Sequence, residues 1–238
     1  MNVSISVIIA AYNEERTLSS IIEIVRSWGH AKEIIVIDDG SGDQTVKSVR
    51  QFVPGIILIR HAKNQGKAAA MVDGIRKSSG SVLLFLDADT VGLTHKDLDS
   101  MVKPVVRRSA DMVLGAARFW SAGVFEPFNN LTGQRVILKS TLLPELSKMR
   151  SLGYGVELFI NKLHEGKRVK TVRLPHVFIL GKREKQTLPD ALQSYVKEIR
   201  ELLTQLITQY ADEIGPHAKK IVKEIIRYSL RVLDSLTS

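Results

Sequence analysis

The chain has 238 residues, 44% hydrophobic and 25% charged, which is the composition of a globular protein with a sizeable core. It contains no cysteine and no apolar run near the roughly 20 residues of a membrane-spanning helix, so we expect neither disulfides, nor thiolate metal sites, nor an integral membrane protein. The net charge of +9 is concentrated in residues 103–185, where 16 basic residues face 6 acidic ones, and nucleic acid, anionic lipid or a phosphorylated small molecule would each explain such a field.

As far as residue 110, short apolar runs alternate with segments whose apolar residues have helical spacing. This alternation is typical of β-α-β units on a mostly parallel sheet. The runs predict strands at residues 4–10, 33–37, 56–60, 81–86, 111–118 and 168–174. Apolar spacing predicts helices at residues 17–27 and 67–77, and a third helix that begins at an Asp43 N-cap and ends at Phe52. The first strand follows the start directly, without the basic region or cleavage site of a secretory signal, so we expect a cytoplasmic protein.

The pattern changes at Leu188. Two helical stretches, residues 189–210 and 216–236, are separated by Gly215-Pro216, which breaks a helix. We therefore divide the chain into an α/β domain of residues 1–187 and a C-terminal helical hairpin of residues 188–238. One face of the last helix is apolar and another is basic, so it can pack on the body, on a second copy in a homodimer, or peripherally on a membrane.

Polar groups follow each of the first four predicted strands. They lie at residues 12–14, 38–39, 64–67 and 87–89. In open α/β sheets, ligands bind beyond the carboxyl ends of the strands, so we expect these groups to line one site.

The first of these turns favours a nucleoside over a phosphate. A dinucleotide-binding fold needs glycines after its first strand, whereas residues 11–15 contain two carboxylates and no glycine, which excludes that class. There is also no Walker A loop. Tyr12 can stack on a base, and Glu14 and Asp39 can accept hydrogen bonds from a base or ribose.

Asp87-Ala88-Asp89 closes the fourth predicted strand and suits a hard divalent cation. Mg²⁺ or Mn²⁺ takes one or two protein carboxylates, and substrate phosphates and water complete the octahedron. Such a metal neutralises the charge that develops on a departing nucleoside diphosphate.

Together, residues 6–15, 36–41, 64–67 and 86–89 resemble the ordered motifs of family 2 glycosyltransferases with a GT-A fold. Ala10 and Ala68 depart from that pattern, where proline and glycine are common, but neither change removes a ligand group. The resemblance implies a Rossmann-like, mostly parallel central sheet flanked by helices, a UDP- or GDP-sugar donor, and Mg²⁺ or Mn²⁺. It implies a metal site at Asp87 and Asp89, and donor contacts from Ala11, Tyr12, Glu14, Asp39, Asn64, Lys67, Asp87 and Ala88.

The second half is similar to dolichyl-phosphate mannosyltransferase-like enzymes and to glucosyl-3-phosphoglycerate synthases, in residues 132–135 and 153–157. Both groups use acceptors that carry phosphate, on a small molecule or a lipid, so the basic middle segment is expected to serve such an acceptor and not nucleic acid. By this resemblance Arg135 binds the acceptor phosphate, and Glu157 is either the general base or a residue that orients the acceptor. Inversion of the anomeric centre is the default for the family, and retention stays open.

The resemblance also suggests His176 as a third metal ligand. From their position near it, Lys182 and Arg183 are expected to close over the diphosphate as part of a mobile loop. A lipid-phosphate acceptor would place the protein peripherally on the inner membrane face.

Three alternatives stay open from the residues themselves. Residues 87–90 approach the D-x-D-x-T loop of haloacid-dehalogenase phosphatases, although that loop normally follows the first strand and carries its threonine one place later. A sugar-nucleotide pyrophosphorylase would need a glycine-rich first loop, which is absent. A non-enzymatic membrane-docking module would use only the last helix and the basic middle. A processive polysaccharide synthase is disfavoured because the chain lacks a Q-x-x-R-W motif.

Overall fold

The computed structural model describes residues 3–119 and 132–179, together with residues 201, 204 and 205. The strands are β1 Ile5–Ala11, β2 Ala31–Asp38, β3 Ile57–Arg60, β4 Val82–Asp87, β5 Thr90–Val91, β6 Met112–Phe119, β7 Arg135–Leu138 and β8 Val169–Ile179. The α-helices are α1 Leu18–Trp28, α2 Thr45–Arg50, α3 Lys67–Lys77, α4 His95–Val106, α5 Lys139–Leu142, α6 Leu146–Met149 and α7 Val156–Lys162. Short 3₁₀ turns cover Leu143–Glu145 and Gly153–Gly155.

One eight-stranded sheet orders the strands β3-β2-β1-β4-β7-β6-β8-β5. The first four strands in this order are parallel, β7 is antiparallel to both β4 and β6, and β8 is parallel to β6. The predicted α/β class, with a mostly parallel central sheet flanked by helices, is confirmed. All six predicted strands are present, and β8 continues past the predicted end because its last residues pair with β5.

The sheet separates two hydrophobic clusters. Along β1, Val7 and Ile9 belong to one cluster and Ile8 to the other, which is the alternation expected of a strand buried on both faces. Helices α1 and α4 cover the first face, and α3, α6 and α7 cover the second. This sandwich leaves the carboxyl ends of the parallel strands as the edge where polar groups collect.

Helix α2 begins later than the sequence predicts, and the predicted Asp43 N-cap is wrong by one position. Gln44 is the N-cap and makes no side-chain cap bond. Asp43 Oδ1 instead accepts bonds from the backbone N of Thr45 at 2.9 Å and from its hydroxyl at 2.5 Å. The aspartate therefore closes the turn before the helix.

The boundary predicted at residue 187 lies outside the described residues, as does most of the predicted hairpin, so that division stays a prediction. Glu201, which lies in the stretch of the predicted hairpin, is described, and its Oε2 accepts the backbone N–H of Tyr154 at 2.9 Å. In the described part of the chain, no helix has both the length and the apolar character to cross a membrane.

Gly74 allows helix α3 to approach β1 closely, which gives a test of the packing. A Cβ at this position would lie 2.6 Å from Ile8 Cγ2 and 2.9 Å from Ile37 Cδ1. We expect Gly74→Ala to lower the free energy of unfolding by about 1–3 kcal/mol, because both isoleucines are buried and held by their neighbours. Urea denaturation measures this loss, and Gly42→Ala, whose Cβ would meet nothing within 4 Å, is the control.

Candidate active site

One ammonium group lies between two carboxylates at the carboxyl end of β4. Lys67 Nζ is 2.9 Å from Asp87 Oδ1 and 2.5 Å from Glu157 Oε1. Asp87 is the last residue of β4, Lys67 the first of α3, and Glu157 the second of α7. Three residues predicted from separate motifs are thus brought into one cluster, which we call the Lys67 cluster.

Two glycine turns position this cluster. Gly66 is the N-cap of α3 with φ of 93°, and Gly153 has φ of 55° in the 3₁₀ turn before α7. Both values lie in the left-handed region that favours glycine. A Cβ on Gly66 would lie 3.9 Å from the Gly153 Cα, so the two turns run side by side and aim Lys67 and Glu157 at each other.

The electrostatics of the cluster keep the lysine charged. Burial alone would lower the pKa of Lys67, but the carboxylates of Asp87 and Glu157 together raise it well above its ordinary value. Burial raises the pKa of Glu157, although the charges of Lys67 and Arg135 act in the opposite direction. Glu157 is therefore a carboxylate in a poorly solvated position, which is the setting in which enzymes tune a general base.

Arg135 lies beneath this cluster and is completely buried. Its Nε and one terminal nitrogen donate to the carbonyl of Thr132, and the other terminal nitrogen donates to Glu157 O at 3.4 Å and Asn161 Oδ1 at 3.3 Å. Burial lowers the pKa of Arg135, against the opposing effect of Glu157 and Asp87. The contact of Arg135 with an acceptor phosphate stays a prediction, and the burial of the side chain disfavours it. In the structure, Arg135 supports α7 and the backbone of Glu157.

The carboxylate pair of residues 87–89 is held from both sides. Asp87 Oδ2 accepts the backbone N–H of Gly133 at 3.2 Å, and the carbonyl of Ala88 accepts the Thr17 hydroxyl at 2.6 Å. Ala88 is buried and contributes only its backbone, whereas Asp89 is partly exposed. This arrangement anchors the strand end, and both carboxylates of the pair are partly exposed.

The carboxylates of this site suit a divalent cation only if a substrate supplies further metal ligands. Among the described residues, no three His, Asp or Glu side chains form a ready-made metal cage. Mg²⁺ and Mn²⁺ do not need one when phosphates and water fill the remaining positions. The acidic residues 87, 89 and 157 outnumber the basic residues 67 and 135 by one charge, so a diphosphate brought here would meet net repulsion unless a cation came with it.

The predicted nucleoside loop lies next to this site, between β1 and α1. Ala11 is buried and accepts the Asp39 backbone N–H at 2.8 Å. Tyr12 is 44% exposed, which leaves its ring accessible for stacking. Asn13 turns the chain with φ of 57°, and Glu14 Oε2 accepts the Thr17 hydroxyl at 3.2 Å.

Asp39 is less accessible than the nucleoside hypothesis requires. It is buried, and its carboxylate accepts bonds from His61 Nδ1 at 2.6 Å, Gln65 N at 2.9 Å and Gly66 N at 2.8 Å. These three bonds bind the loop that precedes α3. A direct contact with the nucleoside stays a prediction, because most of the acceptor capacity of the carboxylate is already used.

Two other predicted residues, Asn64 and His176, are not among the described hydrogen-bond partners of Lys67, Asp87 and the Glu157 carboxylate. Asn64 is exposed on the loop before α3. His176 is exposed on β8, where residues 175–177 are out of register with β6, and its carbonyl oxygen lies against Gly92. Its role as a metal ligand with Asp89 stays a prediction. Lys182 and Arg183 lie outside the described residues.

Some residues of the site escaped the sequence interpretation. His61 bonds directly to Asp39 and also to Asp73, which in turn binds Arg150, and Gly133 donates its backbone N–H to Asp87. His61 follows β3 directly, so its place at a strand end was a usable signal. Arg150 lies in an irregular segment between short helices, and no local pattern marks it.

Gly133 gives a specific test of the cluster. A Cβ there would collide with the carboxylate of Asp87 and lie 2.6 Å from Lys67 Nζ. We expect Gly133→Ala to fold, since its φ is not in the left-handed region, but to displace the pair and weaken nucleotide binding by about tenfold, the effect of losing roughly one charged hydrogen bond. Calorimetric titration with UDP and GDP measures the loss, and unchanged affinity would contradict the placement of the donor at Asp87.

The chain is similar in sequence to known glycosyltransferases. Residues 6–165 match the model of glycosyl transferase family 2. The chain is 28% identical over 186 residues to the dodecaprenyl-phosphate galacturonate synthase of Rhizobium johnstonii, covering 75% of this chain and 53% of that protein. It is 28% identical over 176 residues to the dolichyl-phosphate beta-glucosyltransferase of Dictyostelium discoideum, covering 68% of this chain and 50% of that protein. The chain thus spans about half the length of these curated relatives.

The fold is shared with solved glycosyltransferases. Glucosyl-3-phosphoglycerate synthase from Mycobacterium tuberculosis, in complex with Mn²⁺, UDP and phosphoglyceric acid, superposes with a TM-score of 0.64 at 20% identity, covering 86% of this chain and 78% of that one. The same enzyme with Mg²⁺ and UDP gives 0.66 at 20% identity, covering 86% and 79%. At this identity the likeness establishes the fold alone. The matched family model covers most of the described body and includes every residue of the Lys67 cluster, and so the chain belongs to glycosyl transferase family 2.

Proposed function

We propose that this protein is a metal-dependent glycosyltransferase that moves a hexosyl group from a UDP- or GDP-sugar to an acceptor bearing a phosphate. The observation that carries the proposal is the Lys67 cluster. It places a charged lysine, two carboxylates and the neighbouring Asp89 at the carboxyl end of β4, within the stretch that matches the family. Ligands of open α/β sheets bind at this edge.

In the proposed reaction, Asp89 holds the cation together with the donor diphosphate, with Asp87 beside it. The cation, when bound, offsets the negative charge that builds on the leaving nucleoside diphosphate. Tyr12 stacks on the base, and Lys67 fixes the two carboxylates in place. Glu157 either orients the acceptor or takes the proton of its attacking hydroxyl, and its buried carboxylate suits both roles. A polyprenyl phosphate attacks through a phosphate oxygen that carries no such proton, so only the orienting role applies to that acceptor.

The acceptor is proposed to carry phosphate because two relatives bear names of enzymes acting on polyprenyl phosphates, and a neighbour of the same fold binds phosphoglyceric acid. The excess of basic residues in residues 103–185 supports the same class. A transfer assay that supplies the donor with either a polyprenyl phosphate or a small phosphorylated hydroxy acid separates the two forms of this acceptor.

A thermal-shift experiment tests the donor and metal. UDP, GDP and their sugar conjugates are each added with and without Mn²⁺. One nucleotide diphosphate is expected to raise the melting temperature only when Mn²⁺ is present, and Asp89→Ala should abolish the rise. Release of phosphate from generic phosphomonoesters, with no nucleotide shifting the melt, would favour the phosphatase alternative.

A further inference from the structure

A chain of hydrogen-bonded ionisable side chains runs from Asp39 away from the Lys67 cluster. His61 lies at its centre, buried directly after β3, with Nδ1 2.6 Å from Asp39 Oδ1 and Nε2 3.1 Å from Asp73 Oδ2. Both ring nitrogens therefore face carboxylate oxygens. Carboxylate oxygens only accept hydrogen bonds, so each contact puts a ring nitrogen in the donor position.

The far end of this chain returns to the loop before α3. Arg150 donates to both oxygens of Asp73, at 2.6 and 3.2 Å, and also to Gln65 Oε1 at 3.0 Å. The backbone N of Gln65 donates in turn to Asp39. The side chains of Asp39, His61, Asp73 and Arg150 thus form, with Gln65, a closed ring of hydrogen bonds around the loop. Burial alone would raise the pKa of Asp73, but its contacts, chiefly with Arg150, lower it below its ordinary value.

Asp39 joins this ring of hydrogen bonds to the active site. Asp39 also accepts the backbone N–H of Gly66, the N-cap of α3, and Lys67 is the next residue. Whatever fixes the Asp39 carboxylate therefore fixes the start of α3 and the position of the Lys67 ammonium group. Arg150, on the other side, lies three residues before Gly153, which opens the turn into the helix that carries Glu157.

We propose that His61 is a positioning residue for the donor site: by donating to Asp39 it holds the loop of residues 64–67 in the conformation that places Lys67 between Asp87 and Glu157. The donation to Asp73 anchors the imidazole but does not itself reach the site. This inference rests on the proposed function only in that the site binds a nucleotide diphosphate.

Two substitutions separate the two contacts of His61. The side-chain amide nitrogen of asparagine occupies the place of Nδ1, so His61→Asn can still donate to Asp39. The amide nitrogen of glutamine occupies the place of Nε2, so His61→Gln can still donate to Asp73 and loses the bond to Asp39. If His61 only fills space, glutamine, the larger replacement, should be the milder change.

The experiment measures the affinity for UDP and GDP with Mn²⁺ by calorimetric titration, alongside the melting temperature of each variant. We expect His61→Gln to bind about tenfold more weakly than the wild type, and His61→Asn to lose clearly less, even where its melting temperature is the lower of the two. His30→Gln, at an exposed histidine, is the control and should bind as the wild type does.

The outcomes are distinct. Equal affinities for the two variants, or tighter binding by His61→Gln, would overturn the positioning role while leaving the proposed function intact. A wild type that binds no nucleotide diphosphate under any condition would overturn both.

Discussion

Lys67→Met is expected to destabilise the fold by about 3 kcal/mol and to abolish donor binding. The substitution keeps the apolar stem but removes the charge that Asp87 and Glu157 share, so two carboxylates are left facing each other in a poorly solvated site. Breaking a buried pair from one side costs about 3–5 kcal/mol, and the lower end applies because 22% of the Lys67 side chain remains exposed. Urea denaturation at neutral pH measures the loss.

The stability of Lys67→Met is expected to change with pH in a definite direction. Burial already raises the pKa of Glu157 in the folded protein, and loss of Lys67 removes a charge that opposes this rise. Between the pKa of Glu157 in the unfolded state and its higher pKa in the folded state, the folded protein binds more protons than the unfolded chain. The free energy of unfolding therefore falls as the pH rises through this window. Lys67→Met should therefore lose stability from acidic to neutral pH more steeply than the wild type, and parallel pH profiles would contradict the pairing.

A double variant separates charge from function. Lys67→Met combined with Glu157→Gln removes both the cation and one carboxylate, so we expect its free energy of unfolding to exceed that of Lys67→Met alone. Transfer activity should remain absent. A double variant with a lower free energy of unfolding than both Lys67→Met and Glu157→Gln would contradict direct coupling of the two side chains.

Glu157→Gln is expected to lower kcat about 10²–10⁴-fold if Glu157 is the general base, while the donor affinity stays near that of the wild type. The amide keeps the size of the side chain but neither accepts a proton nor repels Asp87. The assay uses the donor identified by thermal shift and a phosphate-bearing acceptor. A loss confined to the acceptor KM would instead assign Glu157 to acceptor orientation, the other role that its position allows.

Glu23→Gln is the matched control for this substitution. Glu23 is exposed on α1, remote in the chain from the Lys67 cluster, and the same change of carboxylate to amide there should leave both kcat and KM as they are. If Glu157→Gln behaved like Glu23→Gln, Glu157 would have no part in the transfer step.

The strand ends were the most predictable part of this protein. Residues such as Ile8 and Ile9 lie in continuous apolar runs, which mark strands buried on both faces, and the polar groups after them had to meet at one edge of the sheet. The approach of Lys67 to Asp87 follows from that topology. Its contact with Glu157 does not, because the two lie 90 residues apart and depend on two glycine turns meeting.

The second half of the chain was harder to predict for physical reasons. Strand β7 has only three apolar residues after Arg135 and runs antiparallel, so neither length nor connectivity marked it. An arginine in a basic segment normally faces solvent, whereas Arg135 is buried by bonds to carbonyl groups that lie close only in the folded chain. The resemblance to known motifs located these residues, but their contacts required the structure.

The central claim is that Asp89 and the Lys67 cluster bind a divalent cation together with a nucleoside diphosphate. The free Mn²⁺ signal in electron paramagnetic resonance, followed as protein is added, measures this most directly. We predict that the signal falls strongly only when UDP or GDP is also present, that Asp89→Asn loses the effect, and that Asp111→Asn, at the opposite end of the sheet, keeps it. A signal indifferent to nucleotide, or an Asp89→Asn protein that binds Mn²⁺ as the wild type does, would contradict the claim.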